Sequence, residues 1–224
     1  MEPRKAAPRR LRITPAPLPA TVRLRGGDTV VIRRVEAADS CALQQFFRDL
    51  SPASRYGRFL RVIRELPEDL LARFTHPDPA REAVLVASLA HSPARIVGVA
   101  QFAGAVDAEG SEIGVVVSDA WQRRGLGCHL LDALMNVAIA AGIERVHADI
   151  LADNHAMRQL AHSLGFEITT NPGAAFLVHA TKKLASMEPR DSAPTRYPKI
   201  VSTHLRPALP LTVAEQPLRA GAGL

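Results

Sequence analysis

Between Ser111 and Leu151 the chain reads strand, glycine turn, helix, strand, and that order leaves very few ways to fold. Ser111–Ser118 is an apolar, β-branched run, SEIGVVVS. Gly125–Ala141 carries helical periodicity, with Leu130, Leu134, Val137 and Ala141 on one face and Gly142 placed to cap its end. Arg145–Leu151 is again a strand. A helix of this length returns the chain to the same end of the sheet, so the two strands run parallel through a right-handed crossover.

Such a unit needs further strands beside it, and the flanking sequence supplies them. Thr29–Arg34 is a β-branched run, and Ala83–Ala90 and Arg95–Gly104 are apolar strands joined by His91-Ser92-Pro93-Ala94, which predicts an antiparallel hairpin. Between them lie three helical segments. The first is led by Asp39 as a potential cap and has Leu43, Phe46, Phe47 and Leu50 on one face. The second starts at Ser51-Pro52 and runs through SRYGRF, and the third spans about Pro67–Phe74. After Leu151 come a helix at Asp153–Leu164 and a final strand pair, Phe166–Thr170 and Ala175–Leu184. The sheet is therefore expected to be mixed, and no internal repeat is visible.

Charge narrows the partners. The chain has 28 Lys and Arg against 22 Asp and Glu, a formal +6. Residues 1–25 alone hold seven basic residues against one acid, whereas 26–184 is slightly acidic. Eleven of the 17 prolines lie before residue 26 or after residue 184. These ends have too few large apolar residues to offset the entropy of ordering them. The predicted organisation is a basic tail at 1–25, one domain at 26–185 and a second Pro-rich tail at 186–224. The basic excess thus belongs to a tail, and the domain is not expected to bind nucleic acid. The longest apolar run, Leu134–Ala141, is too short for a membrane span, and the start does not resemble a secretion signal. Cys41 and Cys128 are too far apart in sequence for a redox pair or metal knuckle, and the histidines show no metal-ligand spacing. A cytoplasmic protein without a metal is expected.

The chemistry concentrates in the turn Gln122-Arg123-Arg124-Gly125-Leu126-Gly127. Glycines there let backbone approach a ligand, and the free amides and dipole of a helix start favour a pyrophosphate. A Walker loop would need four residues between glycines followed by Lys-Ser/Thr, which is absent. A dinucleotide fingerprint would need glycine at position 130, which is Leu. What remains is Q-x-x-G-x-G after a strand, or simply a tight turn that caps a helix. Ala152-Asp153-Asn154 after the next strand and Leu164-Gly165-Phe166 closing the next helix complete the pattern. Over residues 29–184 the sequence resembles the GNAT superfamily of acyl-CoA-dependent N-acetyltransferases. SEIGVVVSDAWQRRGLG, LADNHAM and the SRYGRF at Ser54–Phe59 are most similar to the bacterial protein-lysine acetyltransferases that modify acyl-CoA synthetases.

The resemblance implies an α/β fold: a mixed, mostly antiparallel sheet of six or seven strands with helices on both faces. It implies acetyl-CoA as cosubstrate, bound by Gln122, Arg123, Arg124, Gly125, Leu126 and Gly127, by Asn154, and by the strand backbone at Val115, Val116 and Val117. The parallel strands would splay to admit the pantetheine arm. A primary amine acceptor is implied, on a protein such as an acyl-CoA synthetase or on a small molecule; a module that senses acyl-CoA without turnover is the other class. A lysine amine has a pKa of about 10.4, so acetyl transfer needs a base. Glu112 matches the glutamate of those relatives, although position alone would also suit a solvated strand start. Strand alternation puts Glu112, Gly114, Val116 and Ser118 on one face. Asn154 could equally cap the next helix. Many relatives have a tyrosine where this chain has Ala161, which leaves the general acid unassigned; His162 and Ser163 are adjacent. Cys128 follows the glycine turn, where a helix start would lower its pKa, but it reads as a packing cysteine and not a nucleophile; Tyr56 is expected to line a channel or pack in the core.

Overall fold

A computed structural model describes residues 18–103, 110–170 and 173–184. The strands are β1 (Ala20–Arg23), β2 (Thr29–Arg34), β3 (Ala83–Leu89), β4 (Ser92–Ala103), β5 (Ser111–Val117), β6 (Arg145–Leu151), β7 (Glu167–Thr170) and β8 (Leu177–Lys183). The helices are α1 (Ser40–Asp49), α2 (Pro52–Phe59), α3 (Glu68–Thr75), α4 (Leu126–Ala140) and α5 (His155–Ser163). Among the described residues all eight strands form one sheet in the order β1-β2-β3-β4-β5-β6-β8-β7. β5 and β6 are the parallel pair that flanks α4; the other neighbours are antiparallel. The α/β class and the crossover agree with the sequence. The sheet has one strand more than the expected six or seven.

The extra strand is β1, and it falls in the segment expected to be a tail. Ala20–Arg23 pairs with Thr29–Ile32 of β2, and Leu24 is 4% exposed in the core. Arg25 N–H donates to the Arg124 carbonyl at 3.1 Å, which ties the segment to the glycine turn. Its arginines and prolines hid a strand whose order comes from pairing with residues further on. The domain therefore starts before residue 26. The remaining tail expectations, at 1–17 and 186–224, lie outside the described residues. Full burial of a leucine is worth about 1.5–3 kcal/mol. A chain beginning at residue 26 is expected to melt roughly 5 °C or more below one beginning at residue 18. Equal melting temperatures by calorimetry would show that β1 adds nothing.

The sheet is covered on both sides because its strands alternate. On one face Leu85, Ala87, Ala100 and Ile113 pack with Leu126, Leu130, Leu131, Leu134 and Met135 of α4. On the other, Val84, Val86, Val99 and Val116 meet Leu43, Phe46 and Phe47 of α1, Phe59 of α2, and Leu70 and Phe74 of α3. Phe47 centres this second cluster, 5.2–5.5 Å from the rings of Phe46, Phe59 and Phe74. The α1 face is as the spacing predicted. Within α4, Val137 is only partly buried and Ala141 is exposed, since the helix ends before it. Asp39 does not cap α1 with its side chain; Arg33 holds that carboxylate by two 2.7 Å hydrogen bonds. Ser51 does cap α2, accepting from Ser54 N–H at 3.1 Å, with Pro52 in the first turn.

Candidate active site

β5 and β6 are paired only at Ser111–Val146 and Glu112–His147. Beyond that point β5 stays with β4 as far as Val117–Gly98, and β6 stays with β8 as far as Leu151–Leu177. The two parallel strands therefore part, as expected, and leave a cleft of about 240 Å³ in the sheet. Ser118 N–H donates to Val97 at 3.0 Å, so by antiparallel alternation Val116 and Gly114 bond to β4. The backbone groups of Val115 and Val117 face the gap. Gln122 Nε2 donates to the Val117 carbonyl at 3.1 Å; the Val115 groups and the Val117 N–H have no partner among the described residues. The Val116 side chain lies in the α1–α3 cluster, away from the cleft.

Charged groups from four elements meet at the head of this gap. Glu112 of β5, His147 and Asp149 of β6, His179 of β8 and Arg58 of α2 all line it. In register, Glu112 opposes His147, and Asp149 opposes His179, so these side chains share one face. His179 Nδ1 and Asp149 Oδ1 lie 2.9 Å apart, and the His147 and His179 rings are 5.5 Å apart. Burial pushes the Glu112 carboxyl above the usual glutamate range; Arg58 and His147 pull it down and Asp149 pushes it further up. A carboxylate whose pKa is raised is a stronger base and remains ionised only above the shifted value.

The glycine turn sits at the far end of β5. Gly125 is the N-cap of α4 with φ +91°, and no side chain caps the helix. A Cβ at Gly125 would meet nothing within 4 Å, so the turn opens on free space beside the helix start. That arrangement suits an anionic pyrophosphate. Arg123 adopts a left-handed φ of 60°. Arg124 is not free: its Nη1 bonds Asp28 at 2.8 Å and its guanidinium lies 4.8 Å over Trp121. The Leu126 side chain is buried in the core, leaving only its backbone for a ligand. Gly127 lies inside α4, where a Cβ would approach Leu160 Cδ2 of α5 at 3.2 Å. Its smallness serves helix packing, and its φ is not left-handed. Asn154 caps α5, its Oδ1 accepting from Met157 N–H at 3.0 Å.

A half-open sheet with an uncapped helix start at one end and a raised-pKa carboxylate at the other fits a long anionic thioester. The acetyltransferase (GNAT) family profile matches residues 44–166, more than half of the chain. This chain belongs to the GNAT acetyltransferase family. An acetyltransferase of Pseudomonas aeruginosa is 33% identical over 142 residues, 62% of this chain and 76% of that one. The GNAT domain of S. lividans PAT superposes with a TM-score of 0.67 and 26% identity, over 74% of this chain and 96% of that one. The yncA protein of Salmonella typhimurium, solved with its cofactor acetyl-CoA, has a TM-score of 0.57 and 25% identity, over 73% of this chain and 99% of that one.

This GNAT enzyme departs from its sequence reading at several positions. Cys128 packs against the core, as a packing cysteine would, and its pKa is raised where a helix start would lower it: burial comes first, and Asp132, one turn along α4 with its Oδ2 3.8 Å away, adds to it. Tyr56 is 39% exposed, so it is not a core aromatic, and it is not among the residues lining the cleft. Ala161 is buried, and His162 and Ser163 are exposed beside it, outside the cleft lining. Sequence reasoning missed Arg58, His147, Asp149 and His179. The available signal was the alternation in RVHADIL, which puts His147 and Asp149 on one strand face. Among the described residues no helix is long and apolar enough to cross a membrane, and no His, Cys, Asp and Glu group is arranged to hold a metal.

Proposed function

We propose that this enzyme moves an acetyl group from acetyl-CoA to a lysine side chain of a protein in the cytoplasm, with Glu112 as general base. The observation that carries this reading is Glu112 itself: a partly buried carboxylate of raised pKa where β5 and β6 part. The turn Gln122–Gly127 holds the pyrophosphate through backbone amides, with Arg123 beside it, Arg124 bracing the turn, and Asn154 lining the second splayed strand. The free backbone groups of Val115 and the Val117 N–H hold the pantetheine arm. The amine nitrogen attacks the thioester carbon, the C–N bond forms, and the C–S bond breaks with its electron pair leaving on sulfur. The nitrogen's proton passes to Glu112, directly or through a water. A thiol of pKa about 8.5 is an adequate leaving group near neutral pH, so no residue at 161–163 is required as acid.

A protein acceptor is favoured by the resemblance of the SRYGRF and LADNHAM segments to the bacterial protein-lysine acetyltransferases. An acyl-CoA synthetase is the acceptor to try first. Thiol release would be followed with acyl-CoA synthetases, lysine peptides and free amines, and the products identified by mass spectrometry. Release with a synthetase and one acetyl-lysine per thiol is expected. Turnover with free amines alone would make the enzyme a small-molecule acetyltransferase. Acetyl-CoA binding with no turnover would make it a sensing module.

A further inference from the structure

Arg58 has no part in the chemistry above, yet it is placed within it. Its guanidinium lies against β5 two residues beyond Glu112: a Cβ built on Gly114 would fall 2.4 Å from Arg58 Cζ and 2.6 Å from Nη2. Glycine at 114 is what lets the cation reach the strand. Arg55, one turn earlier on α2, spends its Nη1 on the carbonyls of Phe47, Arg48 and Leu50. Arg58, among the described residues, makes no hydrogen bond and no ion pair; besides Gly114 it meets the Phe59 ring, 5.1 Å from Cζ, and the field of Glu112. Burial pulls its pKa down, the mark of a cation short of solvent. A half-buried fork of five donors that lines the cleft, with no acceptor among the described residues, is placed to serve a bound ligand.

The position is also held rigidly. Ser51 N–H and Oγ and Ser54 Oγ bond the Asp119 carboxylate at 2.7–2.9 Å, and Gln122 Nε2 bonds Ser54 Oγ at 3.1 Å. Asp119 and Gln122 lead into the pyrophosphate turn, so α2 is pinned to the cofactor end of the site. Behind it, Phe59 is locked against Phe47, 5.4 Å between rings.

We infer that Arg58 is a catalytic residue whose guanidinium donates to the acyl oxygen of the bound thioester and stabilises the negative charge formed there when the amine attacks. When the nitrogen lone pair bonds the acyl carbon, the C=O π pair moves onto that oxygen. The pair returns as the C–S bond breaks, the thiolate leaves, and Glu112 has the amine's proton. Preorganised donors at such an oxygen are typically worth about 10²–10³ in turnover. A carboxylate of the acceptor would be the alternative anion. The site against Gly114 favours the acyl oxygen, because it lies on the strand that holds the thioester and not at a rim. The inference rests on the proposed acetyl-CoA site.

The test uses the full chain, [1-¹³C]acetyl-CoA and two substitutions. Arg58→Met removes the donors and keeps the stem; Gly114→Ala keeps the arginine and pushes its flexible end off the strand. Infrared spectroscopy of the binary complex reads the polarisation of the acyl C=O, with affinity measured by calorimetry. The C=O band is expected to shift to lower wavenumber on binding to the wild type and to lose that shift in both variants, with affinity changed only a few-fold. Turnover should fall about 10²–10³-fold. Removing the cation raises the Glu112 pKa further, so turnover is compared on the high-pH plateau. An unchanged band and unchanged turnover in Arg58→Met would overturn the role of Arg58. If Gly114→Ala alone had an effect, that too would overturn it. Failure of acetyl-CoA to bind the wild type would instead remove the proposed site.

Discussion

Glu112→Gln is expected to lower turnover by about 10²–10⁴-fold, the usual worth of a general base. The amide keeps the size and much of the hydrogen bonding of the carboxyl but cannot take a proton. Acetyl-CoA affinity should stay within a few-fold of wild type, because the pyrophosphate turn and the β5 backbone are untouched. High pH should partly rescue the variant by increasing the neutral fraction of the acceptor amine. The fold should tolerate the change. Glu112 is held partly desolvated at a cost that its ionised form bears above the raised pKa, so the neutral amide relieves that cost at pH 7 while leaving Arg58 without its opposing charge. A variant with wild-type turnover at pH 7 would end the case for Glu112.

Gly125→Val should act on binding. At φ +91° a β-branched residue is strained, and its side chain would project into the free space beside the turn, where the proposed pyrophosphate sits. A charge-assisted hydrogen bond is worth about 1.5–3 kcal/mol, so losing one of those to pyrophosphate should weaken acetyl-CoA binding about 10–100-fold. The strain itself costs about 1–2 kcal/mol of stability. Gly127→Val is the less discriminating substitution, although the sequence pattern made it look equivalent. Its Cβ would press on Leu160 of α5, so it should disturb packing along with binding. Calorimetric titration of folded Gly125→Val showing unchanged affinity would remove the turn from the acetyl-CoA site.

The parts of this fold that were legible in the sequence are those fixed by local chemistry. Glycines after a β-branched run mark the turn into α4, a 3-4-7 spacing marks the Leu43–Leu50 face, and Ser51-Pro52 marks a helix start. Each signal is contained within a few residues. β1 was not legible, because four residues in an arginine- and proline-rich stretch become a strand only by pairing with β2. Asp39 has the composition of a cap, but Arg33 from β2 claims its carboxylate. Cys128 sits at a helix start, but its pKa is raised by burial and Asp132, which outweigh the pull of Arg25. For the site, the Gln122–Gly127 turn is a local signal within one strand–turn–helix unit, whereas Glu112 is singled out by the family resemblance and not by its position. Arg58, His147, Asp149 and His179 come from α2, β6 and β8, and only the register of the sheet and the seating of α2 bring them to Glu112.

The pH dependence of acetyl transfer in a single turnover, with acetyl-CoA and acceptor saturating, tests the central claim most directly. Chemistry is then observed without product release. In the wild type, transfer should rise through an acidic limb lying above the ordinary glutamate range, because burial and Asp149 outweigh Arg58 and His147 at Glu112. Asp149→Asn removes a carboxylate that raises that pKa and should move the limb to lower pH. In Glu112→Gln the limb should vanish, leaving only the slow rise that follows deprotonation of the amine. An acidic limb unchanged in position and amplitude in Glu112→Gln would contradict Glu112 as the base.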